Sequence, residues 1–399
     1  MSDLPTAARV RDPGVRALYR LETRWQAWLD VEVALARAQA ELGIIPPEAA
    51  EAIAAAARLE LMDRARIDEG FARTGHTLVP LVWELARIVG EPHGGWVHWG
   101  ATTQNITQTG DLLVLRHAHG IFQDLLRQAL GAMADLAERS AEMVLPGRTH
   151  GQHAVPATFG YKVAVWIDEL LRHQERLRQA APRIFVAMLG GGAGTFASLG
   201  EQGPPVQAAI GRLLGFGSMP VPSRALGDHL AENVCVLGLI AAAAEVRAMV
   251  PLALEAMTTE HEADRTTDLM MDSAEARACI ALGDALSRVV EIVRGLRLDP
   301  DRMRRNLELG GGLIMAEAVM LDLGRAIGRQ HAHDVVYDAA QAAFVEHRSF
   351  SDVLAADARV TAHMAPEAIR GLLDPTAYTG LCAQMAREAA ARARVGAAV

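Results

Sequence analysis

Thr109–Ala137 limits most what this chain can fold into: about eight turns of helix-compatible sequence with no proline and little to interrupt it. Phe159–Ala181, Asp228–Glu262, Arg277–Leu296 and Asp301–Ala326 repeat the pattern, the last with Pro300 well placed at its start. Strand-like alternation is scarce. Alanine and leucine dominate an apolar content of 51%, against 5% aromatic, and both favour helix. The direct reading is an all-α protein with a central long-helix bundle. Helices this apolar on more than one face need cover on several sides. A lone chain would leave much of that surface wet, so a homo-oligomer is expected.

Shorter helices flank the bundle. Within Thr23–Leu42, Trp25, Trp28, Leu29, Leu35 and Ala36 fall on one broad stripe, and Gly43 and Pro46 stop it. Pro47–Leu59 and Ile67–Val89 are further helices, and Glu91–Gly95 is a turn. Residues 1–95 therefore read as a helical N-terminal domain, 96–326 as the bundle domain, and 327–399, opening with the Asp334–Glu346 helix, as a helical C-terminal domain. Pro146 and Gly147 mark a loop. Met188–Gly203 is glycine-rich without GxGxxG after a strand, and reads as a loop between bundle helices that closes over a substrate.

The formal charge of −9 discourages binding to nucleic acid or an anionic membrane. A small anionic substrate stays open, because a local arginine or histidine cluster can outweigh the global sign. Cys235, Cys279 and Cys382 are isolated, which suits a reducing cytoplasm rather than a zinc or disulfide framework. The apolar run Val234–Ala244 is far short of the ~20 residues a membrane helix needs. The opening MSDLPTAARVRDPG has no apolar core or cleavage pattern. HEADR at His261–Arg265 is not HExxH, and neither metal nor cofactor is expected.

Four polar clusters could carry chemistry. Gly147–Lys162 gathers Arg148, Thr149, His150, Gln152, His153 and Lys162. Histidine moves protons near neutral pH, and arginine offers a fork to carboxylate or phosphate. The two histidines share a side if the segment is helical. A surface ion pair for Arg148 and a packing role for His150 are the plainer alternative. Val97–Gly110 places His98, Thr102, Thr103 and Gln104 ahead of the long helix, which suits capping or anion binding at its N-terminus. His76 in Arg73–Pro80 and His261 in Thr259–Arg265 are open to structural and catalytic readings alike.

GRTHGQHAVPATFGYK is similar over its whole run to the substrate-binding histidine segment of the fumarase/aspartase superfamily, nearest the adenylosuccinate lyase and 3-carboxymuconate cycloisomerase branch. VHWGATTQNITQTG resembles that family's HxGxTSxDxxDT, with Thr103 for the serine and Asn105 and Gln108 for the aspartates, so charge is lost and hydrogen bonding kept. RTGHTLVP, EHE, RRNLELGGGLIMAE and LDPTAYTG extend the resemblance along most of the chain. It implies a three-part fold and a homotetramer whose sites are shared between subunits. It also implies His150 as proton donor or anchor at the scissile bond, His76 as a second active-site histidine, and His261 facing a neighbouring subunit's site. Thr149, Gln152 and Lys162 would line the substrate carboxylates. Arg9 matches the arginine of a phosphate-contacting segment in adenylosuccinate lyases, but Val10 stands where its tyrosine would be, which argues against a purine nucleotide. Pro220–Asp228 resembles the PVPxHTQRD stretch of the cycloisomerases with Leu226 and Gly227 for glutamine and arginine; Arg224 is the candidate replacement for the lost guanidinium.

The family's GSSxMPxKxNP segment, whose serine is the proposed general base, is missing. DHLAENVCVLGLIAA resembles the start of the helix before it and AEVRAMVPLALEAM the end of the helix after it. The two are fused near Ala241–Glu245, which implies a bundle shortened between its third and fourth helices. Ser218 and Ser223, in the out-of-place echo GSMPVPSR, and Ser273 are loose candidates for a replacement base. Propensity across Ala241–Ala244 favours one helix to Val250, kinked by Pro251, whereas family topology requires a hairpin. The resulting expectation is a lyase that eliminates a C–N or C–O group from a small di- or tricarboxylate. The alternatives are a cycloisomerase of the 3-carboxymuconate type, or a non-catalytic paralogue with a binding or structural role.

Overall fold

The computed structural model describes residues 11–222, 225–241 and 243–398. The all-α class holds, with two short strand pairs as the departures among the described residues. No helix among these residues is long and apolar enough to cross a membrane. The chain divides into two compact units, one formed by the stretch up to Leu126 with His173–Val289, the other by Arg127–Arg172 and Val290 onward.

In the first unit the Leu21–Glu41 helix buries Trp25, Trp28, Leu29 and Leu35 on the expected stripe. It packs on Pro47–Ala56 and Gly203–Leu214. Each fully buried large side chain of this kind contributes about 1.5–3 kcal/mol. Gly110, in the helix Thr103–Arg139, lets that helix approach closely, because a Cβ there would stand 2.5 Å from Trp28 Cδ1.

Ile67–Val89, expected as one helix, is two. Asp63 caps Arg64–Thr74 by accepting from Ala65 and Arg66 N–H, and Gly75 at φ 64° ends it in a left-handed cap. The reversal leaves His76 in a turn ahead of Val79–Val89. The propensity reading of Ala241–Ala244 is likewise overturned. Asp228–Ile240 and Ala244–Glu255 are separate helices packed on each other as a hairpin, with Ala241 and Ala243 extended between them. A Cβ on Gly238 would lie 2.6 Å from Val250 Cγ2, so contact between the helices outweighs alanine's helix preference. Pro251 sits inside the second helix.

In the second unit the expected loop at Pro146–Gly147 is part of a β-hairpin. Strand β1, Val144–Thr149, pairs antiparallel with β2, Gln152–Thr158, with a bulge between Pro146 and Arg148. Asp301–Ala326 is two helices, Pro300–Glu308 and Ala316–Ile327, parted where Gly311 and Gly312 adopt φ of 59° and 93°. The latter helix, with Arg329–Val345 and Phe350–Ala356, closes a core around Val319, Leu323, Val336, Phe350 and Leu354.

Candidate active site

A cleft of about 640 Å³ opens in the first unit. Arg24 and Trp28 enter it from the Leu21–Glu41 helix, and the turn after Gly75 contributes His76. Thr103, Gln104, Gln108 and Asp111 come from the start of the Thr103–Arg139 helix, where positions 104, 108 and 111 share a face. Asp268, Asp272 and Glu275 hold the same spacing on Arg265–Gly295.

The cleft floor sets two carboxyl groups on one guanidinium, with a third, Glu275, beside them. Arg24 donates to Asp111 through Nε at 2.9 Å and Nη2 at 2.5 Å, and to Asp272 at 3.2 Å. Trp28 Nε1 donates to Asp111 at 3.1 Å. Burial alone would lower the Arg24 pKa, but the two aspartates reverse this and raise it. Burial pushes Asp111 above its ordinary value, against the pull of Arg24. Glu275 has no arginine on it; Tyr19 Oη donates to its Oε1 at 3.5 Å. Its burial, and then the charges of Asp111 and Asp272, push it up to about 8. At neutral pH the floor is therefore a protonated Glu275 beside aspartates held by one arginine. Burial also raises Tyr19 well above its ordinary range, so its hydroxyl remains a donor.

His76 has a fixed tautomer. Its Nδ1 accepts from the backbone N–H of Leu78 at 3.2 Å and of Val79 at 3.4 Å, which caps the Val79–Val89 helix and leaves the proton on Nε2. Burial, then Arg265 and His98, lower its pKa, so it is neutral at pH 7. His98 is committed elsewhere, its Nδ1 2.6 Å from Glu32 Oε1. Burial opposes its protonation, but Glu32 outweighs that and raises its pKa.

His76, Thr103 and Gln104 are thus the predicted residues that this cleft brings together. Thr102 lies beside them and donates its N–H to Asn105 Oδ1 at 3.1 Å. His261 is exposed in a bend ahead of Arg265–Gly295 and is not on the cleft wall. Arg9, Arg224 and Ser223 lie outside the described residues. Ser218 and Ser273 are exposed and away from the cleft wall. The glycine-rich segment, expected to close over substrate, is instead pinned to the start of the long helix. Gly191 N–H donates to Asn105 Oδ1 at 3.1 Å and Ser198 Oγ to the Gly100 carbonyl at 2.7 Å, and none of its residues lines the cleft.

The second unit holds the other predicted group. His150 and Gly151 form the tip of the β1–β2 hairpin, both with positive φ, at 50° and 78°. The hairpin replaces the helical spacing considered for His150 and His153: Arg148 pairs with His153, and Thr149 with Gln152. Arg148, Thr149, His150 and Gln152 are exposed, and Lys162 is half-buried in the helix that follows.

Tyr19, Arg24, Asp111, Asp272 and Glu275 were not singled out in the sequence. The signal available was Asp268–Asp272–Glu275 at helical spacing, a pattern that ordinarily marks a solvated face. Among the described residues no group of three or more histidine, cysteine or acidic side chains is placed to hold a metal ion.

The family model described as Lyase matches residues 9–250, and the one described as Adenylosuccinate lyase C-terminus matches 312–389. The chain is 35% identical to 3-carboxy-cis,cis-muconate cycloisomerase of Pseudomonas aeruginosa, covering 95% of each protein. That alignment spans 438 positions, more than the 399 residues of this chain, so the chain is gapped against its relative, as a missing segment requires. It is 32% identical to adenylosuccinate lyase of Methanocaldococcus jannaschii, over 96% of this chain and 94% of that one. Among solved structures it is similar to the 3-carboxy-cis,cis-muconate lactonizing enzyme of Pseudomonas putida, with a TM-score of 0.91 and 30% identity over 98% of this chain and 99% of the other. The sequence motifs, the helical fold and these matches agree: the chain belongs to the fumarase/aspartase superfamily of lyases and isomerases, close to both its adenylosuccinate lyase and its 3-carboxymuconate cycloisomerase branches.

Proposed function

We propose that this protein makes or breaks a bond beside a carboxylate of a small di- or tricarboxylate, with cycloisomerisation of the 3-carboxymuconate type ahead of C–N or C–O elimination. The observation that carries the reading is the meeting of His76, Thr103 and Gln104 in one cleft at the start of a 37-residue helix. The positive end of that helix favours a carboxylate there, and His76 offers a neutral N–H donor. Val10 replaces the tyrosine of the phosphate-contacting segment, which weighs against adenylosuccinate as substrate. A homotetramer in which the His150 hairpin of one copy serves the cleft of another belongs to the same reading.

The test is a direct assay of the purified chain. With 3-carboxy-cis,cis-muconate, the loss of the conjugated diene is followed by ultraviolet absorbance; with adenylosuccinate, the appearance of fumarate. Turnover of the muconate and none of adenylosuccinate is expected. Fumarate release without muconate turnover would replace lactone formation by elimination, and turnover of neither would remove the enzymatic reading.

A further inference from the structure

We propose that Glu275 is the group that exchanges a proton with the substrate carbon, in the role the absent loop serine leaves vacant. This rests on the cleft being the site of a lyase or isomerase. The argument is one of elimination by hydrogen-bond occupancy. Asp111 is held by two nitrogens of Arg24 and by Trp28 Nε1, and Asp272 is drawn to the same arginine. Asp268 already accepts from Gln104 at 3.3 Å. His76 has its accepting nitrogen bound to two backbone N–H groups, so toward substrate it is a donor only. Glu275 lies on the cleft wall, is 7% exposed, and has only the Tyr19 hydroxyl on its carboxyl, at 3.5 Å.

The surroundings also suit the task. A carbon acid beside a carboxylate is weakly acidic, so its partner must be a stronger base than an ordinary carboxylate. The groups facing Glu275 are Tyr19 and Arg24 from the N-terminal stretch, Asp111 from the long helix, and Asp272 and Cys279 from its own helix. Burial and the two aspartates together place its titration at about 8, close to working pH. In elimination the ionised Glu275 takes the proton from carbon. The C–H electron pair becomes the new C=C as the leaving group departs with its own pair and is protonated by water. In lactone closure the order is reversed. A substrate carboxylate oxygen bonds to one alkene carbon, and the protonated Glu275 supplies the hydrogen to the other.

The two directions give opposite pH dependence. Elimination should rise with pH through about 8, and lactone closure should fall through the same point. Glu275→Gln in the full-length protein should lower kcat by at least about 100-fold with KM nearly unchanged, and abolish that limb. Glu275→Asp should recover part of kcat with the limb displaced. Wild-type turnover with an E275Q enzyme that keeps its kcat and its limb overturns the Glu275 assignment and leaves the cleft reading standing. A limb of the wrong sign for the reaction observed also overturns it. No turnover by the wild type of either substrate overturns both.

Discussion

The His150 hairpin and the Glu275 cleft floor are built on opposite principles. The hairpin presents Arg148, Thr149, His150 and Gln152 to solvent on a two-residue turn, where none of them contributes much to the core. The floor buries Glu275 and ties Asp111 and Arg24 into the packing of three helices. Side chains of the first kind are held ready for a partner at little cost to stability. Those of the second kind acquire unusual proton affinities because the fold has paid to desolvate them. The difference predicts that substitutions in the two places separate activity from stability in different ways.

The largest effect is expected at the hairpin tip. His150→Asn keeps a residue that tolerates positive φ, so the hairpin should form and the thermal midpoint should stay within about 1–2 °C. Activity should fall by two orders of magnitude or more. Mixing inactive His150→Asn chains with inactive His76→Ala chains should restore part of the activity if one copy's hairpin serves another's cleft. No recovery after refolding the mixture would confine the site to one chain.

Glu275 should behave in the opposite way with respect to stability. An unfolded glutamate titrates near its ordinary 4.5, whereas the folded group holds its proton to about 8. The folded state therefore binds more protons across that window, and stability falls as pH rises from 4.5 to 8. The cost grows from nothing below the lower value to roughly 3 kcal/mol at pH 7 and about 5 kcal/mol above pH 8, as an upper bound for a group that borders a cleft. Glu275→Gln removes it. Chemical denaturation should find the variant more stable than wild type at pH 8 and equal to it near pH 4; a pH-independent difference would contradict the buried proton.

Fold and candidate site were legible in the sequence to different depths. Apolar periodicity located the long helices because a buried stripe repeats whatever the partner is, and motif likeness singled out His76 and Thr103, which lie on the cleft wall. The break between the Asp228–Ile240 and Ala244–Glu255 helices was not readable, because nothing local in the four alanines Ala241–Ala244 competes with helix. The approach of Gly238 to Val250 is a contact between the two helices, which local propensity does not register. The Glu275 floor was hidden for a related reason. Acidic residues at helical spacing look solvated until a second helix supplies Arg24 and a third supplies Asp111.

Packing under the cleft should be next in sensitivity. Gly110→Ala would set a Cβ 2.5 Å from Trp28 Cδ1 and 3.2 Å from the Ala27 carbonyl. Backbone on one side and an indole on the other leave little room to yield, so a loss of about 1–3 kcal/mol is expected. Because Trp28 also holds Asp111, activity should fall with it; unchanged stability would mean that the two helices are not pressed together at this point.

The smallest effects should come from two histidines of the same unit with opposite signs. His119 Nε2 donates to Asn233 Oδ1 at 2.8 Å, and the ring packs edge-on against Phe185. Burial lowers its pKa more than Asn233 restores it. Its stabilising contribution is present above the ordinary histidine value of 6.5 and is lost as pH falls below it, because the unfolded chain takes up the proton first. His98, raised by Glu32, contributes fully below 6.5 and loses its contribution as pH rises through its folded value. His119→Gln should flatten the acid side of the thermal stability profile and His98→Gln the side above 6.5. If His119→Gln left the acid slope of the wild type intact, the loss of stability there would belong to carboxylates, and the neutral ring beside Phe185 would have no part in it.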